Sequence, residues 1–149
     1  MAIIRNVKAN SEIHFNLKRS REDDWLNYRL EVYIIDSNNH RSCLENLSLL
    51  NYENLYLDAI YDPEVPQLIE GIKKILSGEI EYYLFSPVDE KDFILELICR
   101  EKLFLNYFRA NDIPGFWEGM RITIDQMSLA KFAEDLAQEY RSLGYSNYS

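Results

Sequence analysis

Three observations predict an α+β fold for this 149-residue chain. Several stretches alternate apolar and polar residues, the period of half-buried strands. Two longer stretches carry helical apolar stripes with recognisable ends. One order of elements also occurs twice, with strands running into a helix around residues 62–77 and further strands into a second helix around 128–143. The expected architecture is antiparallel strands with two amphipathic helices, in two repeated strands-then-helix halves. The repetition lies in element order; residue similarity between the halves is weak. No low-complexity stretch or Pro/Gly linker interrupts the chain, so residues 1–149 read as one domain.

Ile13, Phe15 and Leu17 alternate with His14, Asn16 and Lys18, which describes a strand. The polar run Arg19–Asp24 is a turn, and Trp25 to Ile35 is a second strand with Leu26, Tyr28, Leu30 and Val32 on one face. Asp36-Ser37-Asn38-Asn39 is a hairpin turn, because Asn and Asp tolerate left-handed backbone and bond their own main chain. Cys43 to Leu50 fits a further strand, while Leu55 to Tyr61 fits a strand or a short helix equally. Asp62 is then an N-cap, Pro63 suits the first helical position, and Glu64 complements the dipole. Val65, Leu68, Ile69, Ile72 and Leu76 form the stripe, and Gly78 stops the helix.

The second block opens near Ile80. Tyr82 to Phe85 is a strand broken at Ser86-Pro87. Phe93, Leu95 and Leu97 alternate with Ile94, Glu96 and Ile98, a strand apolar on most of both faces and therefore central. Glu101-Lys102 turns the chain into Leu103–Phe108. Ala110 to Gly119, with Pro114 and Gly115, reads as a loop carrying Phe116 and Trp117, after which Met120, Ile122 and Ile124 alternate. Ser128 is the expected N-cap of the last helix, whose stripe is Leu129, Phe132, Leu136, Tyr140 and Leu143 with Ala133 and Ala137 beside it. Gly144 ends the pattern, and the tail 145–149 is expected to fray.

The charge is −9, and its placement is uneven. Residues 1–35 carry six basic and five acidic side chains; residues 36–101 carry five basic and fourteen acidic; residues 102–149 carry five and six. Such a chain repels nucleic acid, whose binding needs phosphate neutralisation. It attracts a basic protein and speeds that encounter; the alternative is that the charge serves solubility alone. Eleven tyrosines suit half-buried sheet faces and protein interfaces. The N-terminal residues lack the pattern of a signal peptide, and no apolar run approaches the roughly 20 residues that cross a bilayer. The expectation is a soluble, cytoplasmic protein without membrane contact.

No residue pattern specifies catalysis, and the chain is read as a non-enzyme without cofactor or metal. His14 and His40 have no partner at a recognised spacing and are read as surface histidines. Cys43 and Cys99 are read as buried structural thiols. None of the five glycines is spaced as in a phosphate or dinucleotide loop. Asp23-Asp24 and the run Asp89-Glu90-Lys91-Asp92 lack the Gly and terminal Glu of a calcium loop and are read as solvated turns. Glu79 and Glu81, with Asp89, Glu90 and Asp92, form the alternative reading of an acidic protein-binding surface. For Trp117 two readings stand: with Phe116 it covers one end of the core, or it is exposed and anchors an interface.

Several of these pieces together resemble the WapI-like group of bacterial immunity proteins. They are Ile13–Leu17, Asp24-Trp25-Leu26 with the strand to Ile35, and the helix end Ile75-Leu76-Ser77-Gly78. Phe85-Ser86-Pro87, Asp92-Phe93-Ile94-Leu95-Glu96-Leu97 and the last helix with Leu129, Phe132 and Leu136 complete the set. The resemblance spans most of the chain; residues 41–61 fit it least. It implies a protein without catalytic residues that binds and blocks a cognate toxin domain. A nuclease toxin needs a basic cleft, which an acidic inhibitor can fill. The candidate contacts are Tyr56, Asp58, Glu79, Glu81, Asp89, Glu90, Asp92 and Trp117. Two rival readings are a structural or regulatory interaction domain with another partner, and a small-ligand protein or enzyme with a dispersed site.

Overall fold

A computed structural model describes residues 1–19, 25–52 and 64–144. The architecture is α+β. Strands β1 (Ala2–Arg5), β2 (Ser11–Arg19), β3 (Trp25–Ile35) and β4 (Arg41–Tyr52) form one antiparallel sheet, sheet A, and helix α1 (Glu64–Ser77) follows. Strands β5 (Tyr82–Phe85), β6 (Phe93–Cys99), β7 (Leu103–Ala110) and β8 (Trp117–Thr123) form a second antiparallel sheet, sheet B, and helix α2 (Gln126–Ser142) follows. Each sheet runs in sequence order, so among the described residues four strands and a helix occur twice.

The register places the alternating residues as their period demands. Ile13 lies opposite Val32, Phe15 opposite Leu30 and Leu17 opposite Tyr28, all on the buried face of sheet A. In sheet B, Leu97, Leu105 and Ile122 align across three strands on its buried face. The Asp36 carboxylate accepts 2.9 Å bonds from the amides of Asn38 and His40 and sets the hairpin, with Asn39 left-handed.

The helices cross between the halves. Helix α1 follows sheet A yet packs on β5 and β6, and α2 follows sheet B yet packs on β1 and β2; the two helices also meet each other. Gly71 makes the first crossing close, because the Tyr83 ring of β5 lies where a Cβ would stand, 2.5 Å away. The second crossing is tied by Glu139 of α2, whose carboxylate accepts the Leu17 amide of β2 at 2.8 Å. The Arg19 guanidinium donates to the Leu143 carbonyl at the end of α2, 2.9 Å away. Phe15 sits at the junction, edge-on to both Phe85 and Phe132. One apolar core therefore draws on both sheets and both helices.

Several expectations need correction. Strand β1 was not foreseen; its four residues are too few to show a period. In α1, Ile75 is fully buried and Leu76 only half-buried, a one-residue rotation of the stripe. Trp117 opens β8 instead of lying in a loop, since Ala110 pairs with it and shortens the connection to residues 111–116. Asp125, not Ser128, caps α2: its carboxylate accepts the Ser128 amide at 2.7 Å, so Ser128 is the residue being capped. Asp23, Asp24, the proposed cap Asp62-Pro63, the ambiguous stretch Leu55–Tyr61 and the tail 145–149 lie outside the described residues.

Candidate protein-docking site

Hairpin topology puts the β5–β6 connection (86–92) and the β7–β8 connection (111–116) at the same end of sheet B. The Ala110 amide, at the end of β7, donates to the Asp92 carbonyl at 2.8 Å and carries the pairing of β6 with β7 into the first connection. Asp89, Glu90, Asp92, Asp112 and Glu118 lie at the same end of sheet B as Trp117, with Glu118 on the opposite face of β8 from it. With Glu45 this end holds six carboxylates against two cations, Lys91 and Arg109.

The structure also shows what fixes this end. Arg109 pairs with Glu45 of β4 at 3.5 Å and with Glu90 at 2.9 Å, so it clamps the β5–β6 loop to both sheets. Tyr107 donates its phenol to Glu45, and burial followed by that carboxylate pushes the phenol's pKa up. Asp89 accepts the Leu50 amide at 3.3 Å. Beneath the loop, Glu64 at the start of α1 accepts the Val88 amide at 2.6 Å and the Tyr28 hydroxyl. Burial holds the Glu64 carboxyl above the ordinary range, and these two bonds only partly oppose it.

On this rigid base stand four exposed apolar side chains: Val88 at 47% exposure, Ile113 at 56%, Phe116 at 60% and Trp117 at 47%. Phe116 and Trp117 therefore do not cover the core, which corrects the first reading given for them. Trp is among the residues enriched in protein-binding hot spots, and polar residues form the rim of such interfaces.

Trp117 also belongs to the outer face of sheet B, which sequence reasoning missed. Tyr82, Leu84, Ile94, Ile98, Phe104, Phe108 and Trp117 share that face by register. Tyr82 and Leu84 are exposed and the others of β6 and β7 half-buried. At Gly119 a Cβ would stand 2.4 Å from the Phe108 ring, so the missing side chain lets that ring lie across β8. A polar row crosses the middle: Asn106 donates to Glu96 at 2.8 Å and accepts from Arg121 at 2.9 Å, and Tyr82 donates to Glu96 at 2.9 Å. Arg121 also lies over the Phe104 ring, 4.5 Å from its centre. Asn106 is only 3% exposed although it points outward. Because the row is bonded within the sheet, it can be covered without stranding a polar group. The available signal was the apolar second face of β6, which was read as centrality alone.

The remaining candidates separate from this end. Glu79 and Glu81 are exposed but lie before β5, at the opposite end of sheet B, where Glu81 approaches Arg100 at 4.0 Å. Tyr56 and Asp58 lie outside the described residues. His14 is buried rather than at the surface: its Nε2 lies 2.7 Å from the Glu12 carboxylate and its ring is 4.9 Å from that of Tyr33. His40 is exposed beside Asp36. Cys43 is exposed and Cys99 half-buried, so neither is a fully buried thiol. Among the described residues no group of three or more His, Cys, Asp and Glu side chains could hold a metal ion, and no helix is long and apolar enough to cross a membrane.

No family model matches this chain, and no curated protein matches it. The plant transcriptional regulator PBF-2 is similar in structure, with a TM-score of 0.52 at 10% sequence identity, over 96% of this chain and 89% of that one. At that identity the likeness concerns the fold: the two chains share an arrangement of strands and helices over nearly their whole lengths.

Proposed function

We propose that this protein acts by binding, not by catalysis, and that its partner is a basic protein domain, a cognate bacterial toxin domain as the sequence resemblance implies. The observation that carries this reading is the loop end of sheet B. There Val88, Ile113, Phe116 and Trp117 stand exposed, at the same end of the sheet as Asp89, Asp92, Asp112 and Glu118. Apolar anchors would supply the affinity and the acidic surround the steering. A nuclease toxin would offer the complementary surface, since its cleft must attract phosphate. Of the acidic residues first considered, Asp92 and Asp89 fit the reading best; Glu90 is engaged by Arg109. Glu79 and Glu81 lie too far along the sheet to join the same contact.

The test is co-expression with a toxin domain encoded beside this gene, followed by binding measurements as salt rises. Survival, copurification and an affinity that falls with salt are expected, with Phe116→Ser or Trp117→Ser weakening it by about thirtyfold or more, the scale of a hot-spot residue. Affinity indifferent both to salt and to these substitutions would defeat the proposal. The apolar outer face of sheet B favours a second reading, a regulatory or structural interaction domain with a different partner. In that case Phe104→Asp would abolish binding while changes at the loop end would not.

A further inference from the structure

The two sheets present opposite outer surfaces, and that of sheet A is cationic in a chain of net charge −9. By register its solvent side carries Arg5, Lys18, Arg29 and Arg41 against two carboxylates, Glu12 and Glu31. Both carboxylates are already engaged. Glu12 lies 3.4 Å from Arg5, 3.3 Å from Arg41 and 2.7 Å from His14, and Glu31 accepts the Tyr33 hydroxyl. Among the described residues, Lys18 and Arg29 are left without an acidic partner.

These two cations share a concavity. Asn16 lies opposite Arg29 and Arg29 opposite Ser48, while Lys18 lies opposite Asn27, so five polar side chains neighbour one another across three strands, with the Ser48 hydroxyl donating to the Asn27 carboxamide oxygen at 3.4 Å. The space they line with Leu17 measures about 430 Å³, and among the described residues no carboxylate lines it. The inventory is an ammonium, a guanidinium fork, two carboxamides and a hydroxyl. A carboxylate, with two oxygens, would leave most of those donors idle. A phosphate group offers more acceptors around a tetrahedral centre and suits Arg and Lys acting together.

The geometry points to a phosphate-binding site in this concavity, taking the phosphoryl group of a small molecule, with Lys18 and Arg29 as its charged ligands and Asn16, Asn27 and Ser48 as neutral ones. It is independent of the docking end of sheet B and stands or falls without it. The whole chain's negative charge disfavours a long polyanion, and the open concavity fits one compact phosphoryl group.

The experiment is titration of the full chain with inorganic pyrophosphate, read by calorimetry and by amide chemical shifts. Saturable binding is expected, with shifts concentrated at residues 16–18, 27–29 and 48. Lys18→Met and Arg29→Met should each weaken it at least tenfold while leaving the melting temperature unchanged, since both side chains are exposed. Ser48→Asp, which sets a negative charge in the concavity, should abolish it and serves as a second variant should Arg29→Met fail to fold. No saturable binding, binding undiminished in the variants, or shifts elsewhere would overturn the proposal. Binding of a short oligothymidylate through these residues without binding of pyrophosphate would overturn it in favour of nucleic acid.

Discussion

Replacing Gly71 by Ala opposes two effects of known sign. Ala is about 1 kcal/mol better than Gly in a helix interior, so on an open surface the change stabilises. Here the added methyl would meet three atoms of the Tyr83 ring at 2.5, 2.5 and 2.7 Å. Carbon atoms rest about 3.5–4.0 Å apart, so the ring or the helix must give way by about 1 Å. The ring has little room, since Tyr83 is packed against the core; burial, followed by the nearby Glu64 carboxylate, pushes its phenol up to about 12. Forcing a group into a packed core costs about 1–3 kcal/mol. The steric term outweighs the gain, with a net loss of up to about 2 kcal/mol. At about 2–4 °C per kcal/mol for a domain of this size, the melting temperature should fall by up to about 8 °C. Thermal denaturation followed by circular dichroism measures it. In a Tyr83→Ala background the same substitution should show the helix gain alone. If Gly71→Ala raises the melting temperature in the otherwise unchanged protein, the close crossing of α1 over β5 is wrong.

Further outcomes follow from other sites. Burial alone would raise the Glu12 carboxyl, but His14, Arg41 and Arg5 outweigh it and hold its pKa below 4.5. Its contribution to stability is therefore complete above pH 4.5 and lost as pH falls through the lower folded value, so Glu12→Gln should destabilise at pH 7 and be neutral in acid, in urea titrations at both pH values. Glu64 has the opposite sign: its folded pKa is raised, so ionisation opposes folding as pH climbs from 4.5 through that value, and Glu64→Gln should gain stability relative to the parent over that window. Asn106→Leu removes both bonds that join Glu96 to Arg121 and should cost about 1–3 kcal/mol in chemical denaturation. Cys43, exposed, should react with an aromatic disulfide reagent in the native state well before Cys99; equal rates would contradict the placement of both.

The local rules legible in the sequence were those with a short period and a strong punctuation. Ile13–Leu17 and Leu26–Val32 alternate without interruption, and their register in sheet A is the one that alternation demands. The stripe from Leu129 to Tyr140 likewise matches the buried face of α2. Errors arose where a single residue had two local uses. Asp125 and Ser128 are both good caps three residues apart, and only the bond between them decides which one caps. Trp117 follows Pro114 and Gly115, which suggest a loop, but pairing with Ala110 extends β8 back to include it. The candidate docking end could not be read at all from local pattern, because Asp92 and Trp117 are 25 residues apart in the chain and hairpin geometry brings them to one end of sheet B. The burial of His14 was hidden for a related reason: Glu12 is two residues away, yet Arg5 and Arg41 come from neighbouring strands to complete the cluster.

The same strand order serves both sheets, and each needs only one apolar face for the shared core. Sheet A largely obeys that economy: outside it carries Lys18, Arg29, Asn16 and Ser48, with Leu50 and Ile35 as apolar exceptions. Sheet B does not, because Ile94, Ile98, Phe104 and Phe108 repeat apolar character on the side away from both helices. Solubility alone gives no reason to place them there, since an uncovered apolar sheet face invites association. Nor does folding, since the inner face already supplies the core residues Phe93, Leu95, Leu97 and Leu105. The bonded row through Asn106 removes the usual objection to covering such a face, and Trp117 joins it without a break to the acidic loop end. The proposed binding gives that distribution of residues a physical use, and the separately bonded titratable groups, His14 with Glu12 and Glu64 with Tyr28, help to hold strands and helix in place.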